Sequence, residues 1–195
     1  MPRFFATLAL LATLATPALA QRAPSDVRAL LERRDREVKA ALGPASATYT
    51  PAQRQTLQAL VNGAIDFEAM GQRALGATWT TLTPAQRSQF VAAFSQVVRN
   101  QSLADLSIYR ARVGYGDVSV NGNAATARTT AGLQNRTVRV DYQLAFSGGA
   151  WRITDIVLDG VSTADGYARS FGQVVRQRGF PALLTALQRR AASGR

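Results

Sequence analysis

The stretch from Trp151 to Phe171, WRITDIVLDGVSTADGYARSF, constrains this chain more than any other. Trp151, Ile153 and Val157 are β-formers at odd positions, and Ile156 and Leu158 add apolar character on the other side. The spacing predicts a strand covered on both faces. Asp159-Gly160 ends it, and Ser162 or Thr163 offers a side-chain oxygen to cap a following helix. That helix carries Tyr167, Phe171, Val174 and Val175 on one apolar face. A strand that turns directly into a helix joins two layers of a fold.

The residues before this stretch are its natural partner. Val138, Val140, Tyr142, Leu144 and Phe146 alternate with Arg139, Asp141, Gln143 and Ala145, a strand with one apolar face. Ser147-Gly148-Gly149 turns it into the Trp151 strand as a hairpin. Ala124 to Leu133 reads as a weaker, threonine-rich strand, and Asn121-Gly122-Asn123 turns into it from Val118 and Val120.

Everything earlier has helical period. A first helix carries Val27, Leu30, Leu31 and Val38, with Ser25 as its expected cap and Gly43-Pro44 as its stop. Thr50-Pro51-Ala52-Gln53 and Thr83-Pro84-Ala85-Gln86 are two capping boxes, each with Pro at the first helical position. The first opens a helix burying Leu57, Leu60, Val61 and Ala64. The second opens a long helix presenting Phe90, Phe94 and Val97 or Val98, continuing or breaking before Leu103, Leu106 and Tyr109. Between them, Asp66 caps a helix from Phe67 to Leu75 that Gly76 ends, and Trp79 follows in a loop. Beyond the Tyr167 helix, Gly179-Phe180-Pro181 breaks the chain before a short helix with Leu183, Leu184 and Leu187. Arg189 to Arg195 reads as a loose basic tail.

Helices, then an antiparallel sheet of about four strands, then helices again describe one α+β domain with helices on a sheet face. A curved sheet closed by helices makes a cone, and a cone suits a pocket. Residues 1–20 stand apart: Arg3, an apolar run from Phe4 to Ala15 too short to anchor in a bilayer, and Ala18-Leu19-Ala20. They read as a signal peptide cleaved after Ala20, leaving an exported domain over residues 21–188 and the tail at 189–195.

The available chemistry is narrow. The 195 residues include no cysteine and no histidine, which excludes disulfides, thiol nucleophiles, histidine bases and ordinary zinc sites. No nucleophile elbow, phosphate loop or dinucleotide fingerprint is present, so no cofactor or metal is called for. The net charge of +11 comes from 23 cationic residues, of which Lys39 is the one lysine. The arginines are spread along the whole chain rather than gathered in a patch, which speaks against nucleic acid as a partner. Asp155 and Asp159 share strand parity near Ser162 and offer a carboxylate pair for acid–base work. The simpler reading makes Asp155 a buried carboxylate held by an arginine and Asp159 part of a turn. The apolar inventory also has two readings: a filled core, or a core left partly hollow for an apolar ligand.

Several of these pieces together resemble the MlaC family, also described as toluene-tolerance auxiliary proteins. They are Asp66 with Leu75-Gly76-Ala77-Thr78-Trp79; Thr83-Pro84-Ala85-Gln86-Arg87 with Phe90 and Phe94; and Trp151, Asp155, Asp159-Gly160-Val161-Ser162, Tyr167 and Phe171. The likeness runs from about Asp66 to Leu187. The family's usual arginine after the tyrosine of the last long helix is Ala168 here, and Ser102 stands about where the long helix often carries an aromatic. The resemblance implies a nuclear-transport-factor-2-like fold, a curved antiparallel sheet and helices around acyl chains. It implies a periplasmic phospholipid carrier rather than an enzyme. Its ligand would be a phospholipid with two acyl chains. Its partners would be an inner-membrane ABC transporter with an MCE-domain ring and an outer-membrane lipoprotein complex, and its role the maintenance of outer-membrane lipid asymmetry. The expected lipid-binding residues are Met70, Phe90, Phe94, Val140, Tyr142, Leu144, Phe146, Trp151, Ile153, Val157, Tyr167 and Phe171. A carrier of a hopanoid or other isoprenoid lipid, and an acid–base enzyme using Asp155, are the rival readings.

Overall fold

The structure is a computed structural model that describes residues 22–46, 48–133 and 136–194. The segment read as a signal peptide lies outside the described residues. No helix among the described residues is long and apolar enough to cross a membrane.

Helix α1 (Pro24–Leu42) opens the fold. It starts earlier than Ser25 would have it: Ala23 is the N-cap, Pro24 fills the first helical position, and the Asp26 carboxylate accepts from the Ala23 amide at 3.1 Å. Proline presets the helical φ and an acid at N3 supplies the acceptor, so no serine cap is needed. It carries Arg28–Glu32, Arg33–Glu37 and Lys39–Asp35 pairs one turn apart. Its inner side buries Val27, Leu31, Val38 and Leu42.

Both threonine boxes form. Helix α2 (Pro51–Asn62) is capped by Thr50 and Gln53, and helix α5 (Pro84–Ser102) by Thr83 and Gln86, each pair exchanging side-chain and backbone hydrogen bonds. Thr83→Ala is expected to remove about 1 kcal/mol and to lower the melting temperature by roughly 2–4 °C, readable by circular dichroism. Between them lie α3 (Phe67–Leu75), capped by Asp66, and a short α4 (Ala77–Thr81). Trp79 therefore sits in a helical turn rather than a loop, and it is buried. A 3-10 turn at Leu106–Arg110 follows α5.

The sheet is antiparallel and has five strands in sequence order: β1 (Arg112–Asn121), β2 (Ala124–Leu133), β3 (Arg136–Ser147), β4 (Ala150–Leu158) and the two-residue β5 (Val161–Ser162). Helix α6 (Thr163–Ser193) leaves β5 directly, capped by Ser162. Gly179, at φ 80° and ψ 166°, breaks it where the Gly-Phe-Pro triplet predicts. The chain does not leave the fold at Arg189. It stays helical to Ser193, and Asn100 Nδ2 donates to the Ala191 carbonyl at 3.1 Å.

Register sorts the side chains onto two faces. Val120, Ala125, Leu144 and Ile153 lie in one cross-strand row; Val118, Ala127, Tyr142 and Ile156 in the next; Tyr115, Thr129, Val140 and Leu158 in a third. These rows reveal a bulge. Gln143 pairs with Asp155 but Leu144 pairs with Ile153, which leaves Thr154 as the extra residue. The bulge reverses the parity of β4. Ile156 and Leu158 join Trp151 and Ile153 on one face, while Asp155 and Val157 turn to the other. The expectation that Trp151, Ile153 and Val157 share a face therefore fails at Val157.

Two layers of helix use the sheet differently. Helix α1 packs Val27 and Leu31 on the apolar face at Ala125, Ala127, Leu144, Trp151 and Ile153, while its Val38 and Leu42 pack with Leu57 of α2. Helices α3 to α6 form a second core of their own around Phe90. Phe90 stacks on Phe94 at 5.5 Å and meets Phe171 edge-on at 6.0 Å, and Tyr167 meets Phe94 edge-on at 5.0 Å. Gly71 permits this closeness, since a Cβ there would lie 3.0 Å from the Phe90 ring.

Candidate functional site

Where α1, α2 and the end of α5 lie across the apolar face of the sheet, they leave a cavity of about 470 Å3. The floor comes from Val138, Val140, Tyr142, Ile153, Ile156 and Leu158 of β3 and β4, and from Val113, Tyr115 and Ala131 of β1 and β2. The roof comes from Leu31 and Val38 of α1, Leu60 and Val61 of α2, and Val98 of α5, with Ile108 and Tyr109 of the 3-10 turn at one side. Strand β2 presents Ala125, Ala127, Thr129 and Ala131 to this face, small side chains between the larger ones of β1 and β3. Of these, Ala131 lines the cavity, while Ala125 and Ala127 pack with Val27 and Leu31 of α1.

The residues expected to bind ligand fall into three places. Val140, Tyr142 and Ile153 line the cavity. Leu144, Phe146 and Trp151 lie on the same face but pack beneath α1, with Phe146 and Trp151 edge-on at 5.4 Å. Met70, Phe90, Phe94, Tyr167 and Phe171 belong to the separate helical core, where they fill space against one another. Val157 is directed away from the cavity by the bulge. The spacing marked these side chains as apolar and grouped them on faces, wrongly at Val157, but it carried no information about which faces meet. The roof residues Leu31, Val38, Leu60 and Val61 were legible as helix faces and as nothing more.

The cavity is not uniformly apolar. Asn62 is 3% exposed; its amide nitrogen donates to Ser102 Oγ at 2.9 Å and to the Gln58 carbonyl at 2.8 Å. Its carbonyl oxygen has no partner among the described residues. Ser102 therefore anchors a buried amide. Burial pushes the Tyr109 phenol up to about 12 and raises those of Tyr115 and Tyr142, with the Asp35 carboxylate adding to both of the latter. All three phenols thus stay neutral at ordinary pH. The charged lining is confined to Arg34 and Asp35 of α1 and Arg136 of β3.

The second candidate, Asp155, is fully buried and fully engaged. Its carboxylate accepts the Ser162 hydroxyl at 2.5 Å, the Ala164 amide at 3.0 Å and the Ile156 amide at 2.9 Å, and pairs with Arg73 Nη1 at 3.2 Å. Arg73 in turn grips Asp165 through Nε and Nη2 and donates to Gln143. The hydrogen bond between Arg73 and Asp165 raises the arginine's pKa and holds the Asp165 carboxyl below the usual carboxylate range. Asp159 does not share this site. It sits in the β4–β5 turn at φ 47°, where its carboxylate accepts from the Arg139 amide at 2.8 Å. A carboxylate with four donors and no opening is a fastener between β4, α3 and α6, not a base waiting for substrate.

Among curated proteins, none matches the chain. Among solved structures, a phospholipid-binding protein from Ralstonia solanacearum in complex with a phospholipid superposes with a TM-score of 0.71. It is 23% identical, and the match covers 88% of this chain and 98% of that one, so the two share a fold. The family model described as MlaC protein matches residues 32–189, which takes in the floor of the cavity, its roof apart from Leu31, and the Asp155 fastener. By that match over most of its length, the chain belongs to the MlaC family.

Proposed function

We propose that this protein is a periplasmic phospholipid carrier and not an enzyme. The observation that carries the reading is the cavity between the apolar sheet face and the α1–α2 roof, with its aliphatic floor and neutral phenols. Membership of the MlaC family, and the bound phospholipid of the structure that shares the fold, support it. Two acyl tails hold about 30 methylenes, and exposing them to water costs roughly 25 kcal/mol at ~0.8 kcal/mol each. Free passage of such a lipid across an aqueous compartment is negligible. A dry cavity that resembles the bilayer interior removes most of that barrier. Tails would lie over Val140, Tyr142, Ile153 and Ile156, with the headgroup in water at the mouth. The route implied runs between an inner-membrane ABC transporter with an MCE-domain ring and an outer-membrane lipoprotein complex. The enzyme reading loses its residue, because Asp155 is spent on structure.

The test is mass spectrometry of the purified mature protein, native and after organic extraction. Near-stoichiometric diacyl phospholipid is the expected result. A co-purifying hopanoid or other isoprenoid would transfer the carrier reading to that lipid class. A protein that arrives empty and stays empty after incubation with liposomes would sink it.

A further inference from the structure

Among the described residues, three large apolar side chains stand out as exposed: Ile108 at 43%, Leu158 at 47% and Val161 at 59%. Leu158 and Val161 face each other across the β4–β5 turn, and Ile108 comes from the distant 3-10 turn. Ile108 and Leu158 both line the cavity. Val161 is the cross-strand partner of Leu158 in β5, so the two side chains project from the same face. The exposed apolar surface of this protein therefore gathers where the cavity opens.

Arginines frame the same end. Arg136 lines the cavity at the start of β3. Arg112, opposite Gly132 at the start of β1, lies on the reverse face of the sheet. Both are exposed, and among the described residues neither makes an ion pair or a side-chain hydrogen bond. The other charges nearby are committed. Arg139 approaches Asp141 at 3.6 Å and gives its amide to Asp159, Arg110 donates to the carbonyls of Leu42, Gly43 and Pro44, and Asp105 caps the 3-10 turn through Ser107. An apolar tip flanked by two unpaired arginines, on a chain of net charge +11, is complementary to a surface that is anionic outside and hydrocarbon beneath.

We propose that this end of the molecule docks on a lipid bilayer containing anionic phospholipid. Ile108, Leu158 and Val161 seat at the headgroup–acyl boundary, Arg112 and Arg136 meet the phosphates, and the cavity mouth opens onto the lipid it takes up. The proposal rests on the carrier reading but adds to it a surface and a partner: lipid is exchanged with the bilayer itself, not only with a protein that presents it.

Val161→Asp is the informative variant, because Val161 stands beside the mouth without lining the cavity. Flotation with phosphatidylcholine vesicles, with and without about a third phosphatidylglycerol, measures docking. Exchange of a fluorescent phospholipid with the same vesicles measures transfer. Wild type is expected to float with the anionic vesicles and to release as salt rises. Arg136→Glu or Arg112→Glu should each weaken that association about fivefold or more. Val161→Asp should lower both flotation and exchange at least fivefold while co-purified lipid and the melting curve stay as in wild type. Exchange by Val161→Asp at the wild-type rate, or a wild type that ignores anionic vesicles, would overturn the proposal. A protein that floats but never holds lipid would overturn the carrier reading and leave the docking surface standing.

Discussion

Asp155→Ala is expected to destabilise the protein by about 3 kcal/mol or more, the range for removing one partner from a buried, hydrogen-bonded ion pair. The substitution leaves the Ser162 hydroxyl and the Ala164 and Ile156 amides without their acceptor, and each buried orphan costs roughly 1–3 kcal/mol. Arg73 keeps Asp165 and Gln143 and is partly solvated, so its own loss is the smaller share. At about 2–4 °C per kcal/mol for a chain of this size, the melting temperature should fall on the order of 10 °C. Asp155→Asn retains an acceptor for part of the network and should fall between wild type and the alanine variant. Ser162→Ala, which removes one hydroxyl and the α6 cap together, should behave similarly. Thermal and denaturant melts followed by circular dichroism decide the matter. A variant with an unchanged melting curve would mean that the carboxylate is not a fastener, and the acid–base reading would return with it.

The second large effect is on the ligand. Ala131→Phe places an aromatic ring in the floor of the cavity, at the one small side chain that β2 contributes to it. Retained phospholipid is expected to drop at least about tenfold, since a few misplaced methylenes in a close-packed site already cost 1–3 kcal/mol. The fold should survive, because the ring enters existing empty space rather than a filled core. Phe171→Leu is the contrasting variant. It thins the aromatic core of α3–α6 and should cost a fraction of the ~3–5 kcal/mol of a full Phe→Ala deletion, with lipid content unchanged. If instead Phe171→Leu empties the protein of lipid and Ala131→Phe does not, the ligand lies among the helices and the cavity assignment fails. Leu144→Asp does not serve this purpose. Leu144 is buried beneath α1, and a charge there would be expected to unfold the protein before it reported on the ligand.

Much of the fold is legible in local patterns, because the signals involved are local. Asp66 and Gly76 delimit α3 to the residue, and the two Thr-Pro-x-Gln boxes start α2 and α5, since caps and preset dihedrals act within four residues. The alternation from Val138 to Phe146 marks one face of β3 without error. The same reading misses where α1 begins and where α6 ends, because Pro24 and the packing of Asn100 on Ala191 outweigh the weaker local cues.

The site is a different matter. Composition and periodicity determined that this chain has several helices with apolar faces, one strongly amphipathic strand and no histidine or thiol chemistry. They could not determine which helix set covers the sheet, and the attractive choice, the aromatic set at Phe90, Phe94, Tyr167 and Phe171, turns out to pack upon itself. Only the tertiary structure decided that α1 and α2 form the roof. It alone revealed the Thr154 bulge, which sends Asp155 into a buried network and Leu158 to the cavity mouth. The physical reason is that hydrophobic burial is non-directional: a sequence states that a face must leave water, but the face it meets is chosen by volume, register and a single extra residue.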